Sequence, residues 1–183
     1  MYNHVYLIFL ATLIIILSLV TIITLIFVIF CSNLIYINLR TLVPWARVPN
    51  ANLEKILAEV NLPAGALVYD LGCGDGRFLF LAEKYGFRAV GYELAYYPYL
   101  KTLIHKFLTG SNIRIINQDF FKQDLGQAKA IFIFLTAAVM EKIGLKLKDN
   151  LKPETMVISY GFKIPNWQIK KILNTLPSKT YIY

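Results

Sequence analysis

The sequence predicts a doubly wound, mostly parallel α/β sheet preceded by one N-terminal transmembrane helix. Three observations carry that expectation. Residues 1–39 contain no Asp, Glu, Lys or Arg, and 30 of them are apolar. From residue 66 onward, short apolar runs alternate with stretches of helical periodicity, the pattern of parallel strands joined by crossover helices. The first of these runs ends in a glycine-rich turn, at the sheet edge where open α/β folds take up ligands.

All 19 Lys/Arg and all 11 Asp/Glu fall in residues 40–183, where 74 of 144 residues are apolar, a normal share for a packed globule. This composition excludes disorder, a collagen-like chain and a disulfide scaffold. The expected organisation is an anchor over 1–39, a connector and first helix over 40–61, and a ligand-binding domain over 62–183. Cys31 and Cys73 form no disulfide framework, and with His4 and His105 they are too few for a metal site. The formal charge of +8 suits anionic lipid headgroups or nucleic acid, and does not choose between them.

The apolar stretch from Val5 to Leu39 exceeds the roughly 20 residues that cross a bilayer as a helix. A cleaved signal peptide would place positive charge before a shorter apolar core and small residues after it. Here no Lys or Arg precedes Val5, and Phe30 stands before Cys31. Arg40 and Arg47 follow the stretch, so the domain is expected on the cytoplasmic or matrix side. Tyr36 and Trp45 suit the headgroup level, or serve as packing aromatics.

Thr41 to Asn50, with Pro44 and Pro49, reads as a connector. Residues 51–60 put Leu53, Ile56, Leu57 and Val60 on one helical face. Strands are expected at Ala66–Leu71, Phe87–Tyr92, Ile113–Asn117, Ala130–Leu135, Met156–Tyr160 and Thr180–Tyr183. Helices are expected at 77–85, 97–108, Val139–Leu147 and 166–175. The chain ends soon after the last strand, which leaves the sheet edge short or completed by a partner.

The informative segment is Asp70-Leu71-Gly72-Cys73-Gly74-Asp75-Gly76-Arg77. Its glycines permit a tight turn and close approach of a ligand. The pattern is GxGxG followed by Arg77, which does not complete the GxGxxG dinucleotide fingerprint. Asp70 would repel a pyrophosphate but suits a ligand bearing an ammonium and a sulfonium. Glu93, after the second strand, lies where a ribose diol donates two hydrogen bonds. Asp119-Phe120, after the third, offer an acceptor for an adenine amino group and a ring for its face.

This ordered set resembles the class I S-adenosylmethionine-dependent methyltransferases, with their Rossmann-like fold, over roughly residues 62–162. The apolar N-terminal helix, Val48-Pro49, Tyr69 to Arg77, Ala89 to Leu94 and Phe162 to Trp167 together resemble the small membrane-anchored protein-lysine methyltransferases. Those enzymes modify the adenine nucleotide translocase and the ATP synthase c-subunit, and have prokaryotic relatives. The resemblance implies S-adenosyl-L-methionine as cofactor, held by Asp70, Gly72, Cys73, Gly74, Gly76, Glu93, Leu94, Asp119 and Phe120. It implies protein-lysine methylation of a membrane-associated protein. Because a sulfonium methyl is already electrophilic and a positive, desolvated channel lowers an amine's pKa, no dedicated strong base is expected, and Phe132 to Ala138 supplies none.

Thr136, Tyr160, Phe162 and Trp167 follow strands four and five and are candidates for a channel admitting the target amine, or for core packing. The stretch Phe132 to Ala138 lacks the Asn/Asp-Pro-Pro-Tyr/Phe signature of enzymes that methylate adenine or glutamine, so nucleic acid is not the expected partner. A lipid, quinone or RNA acceptor, and a non-catalytic tethered module that binds the same cofactor, stay open.

Overall fold

A computed structural model describes residues 2–41 and 47–183. Pro44 and Trp45, assigned above to the connector and the headgroup level, lie outside the described residues. The chain divides into two compact units, Met1–Arg40 and Thr41–Tyr183. The first is one continuous helix, α1 (Tyr2–Thr41). Its stretch His4–Asn33, whose most apolar window has a mean hydropathy of 3.2, is long and apolar enough to cross a membrane. Isoleucines and valines would favour strands in water, but a helix satisfies its backbone internally. The hydroxyls do likewise: those of Thr12, Ser18, Thr21 and Thr24 donate to carbonyls three or four residues back at 2.6–2.8 Å.

The second unit contains α2 (Asn50–Glu59), β1 (Leu67–Leu71), α3 (Arg77–Lys84), β2 (Arg88–Tyr92), α4 (Tyr96–Thr109), β3 (Arg114–Ile116), β4 (Ala130–Ile133), α5 (Ala137–Asn150), β5 (Met156–Tyr160), β6 (Lys171–Leu173) and β7 (Thr180–Ile182). They build one seven-stranded sheet in the order β3-β2-β1-β4-β5-β7-β6. β1 to β5 run parallel, while β7 is antiparallel to both β5 and β6. Central strands are buried on both faces, as βαβ crossovers require. Val68 packs on the face carrying Leu53, Ile56, Leu57 and Leu79, and Tyr69 and Leu71 on the face carrying Met140, Ile143 and Leu147.

The helix expected at 166–175 does not form. Asn166 turns the chain with φ 61°, Lys170 N–H donates to the Ile182 carbonyl at 2.8 Å, and Lys171–Leu173 becomes β6. A ten-residue helix is marginal alone, so pairing with β7 prevails. The sheet edge is therefore completed by the chain itself. β4 also ends two residues early, because Leu135 leaves the ladder to pack beneath Gly72.

Candidate cofactor site

β1, β2, β3 and β4 end at one edge of the sheet, and the loops leaving them meet there. Asp70 is the fourth residue of β1 and only 4% exposed. Burial raises its carboxyl well above the usual carboxylate range, and the charges of Glu93 and Asp75 push it further the same way. The chain then turns through Gly72, Gly74 and Gly76, at φ 82°, 55° and 74°. Only glycine adopts this region freely, so the loop needs all three. Gly72 and Cys73 N–H groups both donate to the Tyr92 carbonyl, at 2.9 and 3.0 Å, tying the loop to the end of β2.

Glu93 closes the second side. Its carboxylate accepts the Gly74 N–H at 2.8 Å through Oε2 and the Ala95 N–H at 2.7 Å through Oε1. These bonds lower its pKa but do not overcome burial, which leaves it raised. Each carboxylate oxygen accepts two hydrogen bonds, so both keep capacity for a diol. Asp75 pairs with Arg77 at 3.2 Å and with Arg47 at 3.4 Å.

Leu94, half-buried, offers its carbonyl to Asn117 Nδ2 at 3.2 Å, and the same amide donates to the Glu93 carbonyl at 2.7 Å. Asp119 caps a short 3-10 turn, Phe120–Lys122, by accepting the Phe121 N–H at 3.0 Å. Phe120 and Phe121 lie tilted against each other at 4.4 Å. Cys73 turns its thiol into the core: a Cβ on Gly91 would fall 2.6 Å from its sulfur, and burial pushes its pKa up. At this loop its backbone faces the turn and its side chain packs.

The four channel candidates separate. Thr136 occupies the N-cap position of α5 at the same edge, its carbonyl accepting the Val139 N–H at 3.2 Å. Phe162 follows β5 there and is 41% exposed, with its carbonyl accepting the Ser159 hydroxyl at 2.6 Å. Tyr160 is buried, its hydroxyl accepting from Asn52 Nδ2 at 3.2 Å and its ring edge-on to Phe134 at 5.0 Å. Trp167 lies elsewhere, edge-on to Tyr183 at 5.7 Å, lining with Lys148 and Lys152 a cleft of about 370 Å³ beside the N-terminal end of β5.

Sequence reasoning passed over two residues that hold the site together. Asn117 joins the loops after β2 and β3. Thr102, fully buried on α4, donates to the Gly74 carbonyl at 3.0 Å, shared with the Pro98 carbonyl at 3.0 Å. A polar residue directly after a strand could have signalled Asn117; a lone threonine in a helix gives no such sign.

The glycine cradle, the buried Asp70 and the engaged Glu93 fit a ligand with a cationic end and a ribose. Comparison with known proteins gives that ligand its family. Residues 70–171, more than half of the chain, match the model of the ANTKMT methyltransferase domain. The chain belongs to this family. It is 33% identical over 136 residues to a protein-lysine N-methyltransferase of Saccharolobus islandicus, covering 72% of this chain and 84% of that one. It is 29% identical over 152 residues to the mouse adenine nucleotide translocase lysine N-methyltransferase, covering 80% of this chain and 65% of that one. An RNA methyltransferase of Salinibacter ruber, solved with S-adenosyl-L-homocysteine, shares the fold with a TM-score of 0.71 at 24% identity, over 75% of this chain and 92% of that chain. This ANTKMT-family chain is thus an enzyme, an S-adenosylmethionine-dependent methyltransferase on a class I Rossmann-like fold.

Proposed function

We propose that this methyltransferase is held in a membrane by α1, with its domain on the cytoplasmic or matrix side, and methylates a lysine of a membrane-associated protein. The carrying observation is a family methyltransferase domain joined in one chain to a helix with a stretch free of Asp, Glu, Lys and Arg that is long enough to span a bilayer. The relatives named for lysine methylation, one acting on the adenine nucleotide translocase, support the substrate class. Tethering raises the effective concentration of substrates in the same membrane.

In this reading Asp70 receives the cationic end of the cofactor, and the glycine loop lets the backbone close over it. Glu93 holds the ribose through its remaining lone pairs, while Asp119 and Phe120 take the adenine. When bound, the cofactor supplies an electrophilic methyl group on a sulfonium. The chain must align that donor with the amine and exclude water. A free lysine has a pKa near 10.4, so the neutral amine at pH 7 costs about 4.6 kcal/mol. Desolvation in a channel past Thr136 and Phe162, beside a positive sulfonium, lowers that cost without a dedicated base.

The test is to incubate the purified chain with membranes of its own host and methyl-labelled S-adenosylmethionine, with Asp70→Ala as control. Label on a membrane-protein lysine, lost in the control, supports the reading. Label only in lipid or RNA replaces the acceptor, and cofactor binding without any label makes the chain a non-catalytic module.

A further inference from the structure

The helix α4 is packed inside out. Its one buried residue is the polar Thr102, whereas Leu100, Leu103, Ile104, Phe107 and Leu108 are exposed, Phe107 by 85% and Leu108 by 75%. Tyr96 and Tyr97 extend the same exposed face at the N-terminal end. At 100° per residue these side chains span an arc of about 140°, opposite Thr102. Elsewhere on the helix Pro98, Tyr99 and Lys106 are partly buried, and His105 lies against Phe80 at 4.3 Å between ring centres. A large exposed apolar face on a folded domain marks a surface that meets something.

Charge says what it meets. Lys101 and Lys106 flank the apolar arc, and residues 94–118 contain Lys101, Lys106 and Arg114 but no Asp or Glu. An aliphatic and aromatic face edged by lysines is the composition of a helix lying in the headgroup region of an anionic bilayer. Only eight residues, 42–49, separate α1 from α2 in sequence, about 30 Å when fully extended, which limits the reach of the tether.

We propose that the outer face of α4 docks into the surface of the membrane that anchors the enzyme, which deepens the anchored reading above and rests on it. The N-terminus of α4 follows β2 directly, so it begins at the sheet edge that carries the cofactor loops. A docked α4 brings that edge to the lipid surface, within reach of a lysine at the membrane boundary.

The test is site-specific photo-crosslinking of the full chain in vesicles of phosphatidylcholine and phosphatidylglycerol. A benzophenone amino acid replaces Phe107 in one preparation, Leu25 of α1 in a second, and Tyr85, at the end of α3, in a third. The expected result is a lipid adduct from positions 107 and 25, with at least tenfold less from position 85. Lipid adduct from 25 but none from 107, or an adduct of 107 with a protein chain, overturns the docking while leaving the anchor intact. No lipid adduct from 25 overturns the anchored reading itself. A second measurement uses Phe107→Glu/Leu108→Glu: methylation of membrane-embedded substrate should fall tenfold or more with unchanged S-adenosylhomocysteine affinity, and unchanged methylation would refute the docking.

Discussion

Replacing Gly76 by alanine separates two costs that the glycine avoids. Gly76 sits at φ 74°, where an L-residue loses about 1–2 kcal/mol. Its new Cβ would stand 2.4 Å from Thr102 Cγ2, 3.1 Å from Phe80 Cε2 and 3.4 Å from Thr102 Oγ1. Thr102 cannot swing away, because it is fully buried and its hydroxyl holds the Gly74 and Pro98 carbonyls. Overpacking of this kind adds about 1–3 kcal/mol. The total of about 2–5 kcal/mol corresponds to a fall in Tm of roughly 6–15 °C for a domain of this size. Gly65→Ala is the control: its φ is 77° and nothing lies within 4 Å, so only the backbone cost of roughly 3–6 °C applies. Thr102→Ser removes the obstructing methyl and keeps the hydroxyl. Alone it costs about 1 kcal/mol of buried methyl; combined with Gly76→Ala it restores part of the loss. The assay is thermal unfolding of the four variants in one detergent. Equal losses for Gly76→Ala and Gly65→Ala, or strictly additive effects of Gly76→Ala and Thr102→Ser, would refute the steric reasoning.

Asp70→Asn should weaken S-adenosylhomocysteine binding by about 1.5–3 kcal/mol, roughly 10- to 150-fold by calorimetry, because a charge-assisted contact to the cationic end is lost. In the wild type, burial raises the Asp70 pKa, so its contribution to stability is full at low pH and lost as pH rises through the folded pKa. A cationic ligand favours the ionised form, so affinity should rise with pH across that same window, and a calorimetric profile that stays parallel in Asp70→Asn would contradict the assignment. Glu93→Gln offers one acceptor oxygen to two N–H groups, so about 1–3 kcal/mol of stability should go, and cofactor affinity with it; a Tm within 1–2 °C of wild type would count against the bridge. Asn52→Ala removes donors to the Leu176 carbonyl at 2.6 Å and the Tyr160 hydroxyl at 3.2 Å, and should lower Tm by roughly 3–9 °C. Methyl transfer per folded molecule should hold if Tyr160 is a packing residue, and a large fall in kcat would return it to the substrate channel.

The parts of this protein that sequence made legible are those encoded locally. A strand followed by glycines and an acid needs only its neighbours to be read, and β1, β2 and β3 with their loops lie within a few residues of expectation. The charge-free run likewise announces α1 by itself. What escaped depends on distant partners. Asn52 finds Leu176 across 124 positions, Thr102 finds Gly74 across 28, and Asn117 finds Glu93 across 24. The segment 166–175 carries a helix-like spacing, but its fate is decided by the open edge of β7. Trp167 and Phe162 are five residues apart in sequence, yet they belong to different ends of the domain, because the chain doubles back after β5.

The site's electrostatics work against the fold that bears it. Two short loops bring Asp70, Asp75 and Glu93 together, and only Asp75 has its charge met by arginines. Glu93 is held by two backbone N–H groups, and Asp70 is raised by burial and by both neighbours. Asparagine at position 70 would relieve that repulsion, so the acid is intelligible through the cationic end of the cofactor proposed to bind beside it. The bonds that hold Glu93 also fix the glycine loop, and Thr102 fastens that loop to α4. Cofactor held on the loop as proposed is therefore linked to α4 through the Thr102 bond. On the docking proposed for α4, linkage makes the effect reciprocal: a bilayer that holds the helix tightens cofactor binding by the same factor as cofactor tightens membrane docking. A cofactor affinity identical in detergent and in anionic vesicles would leave the two surfaces uncoupled, with Thr102 serving the loop alone.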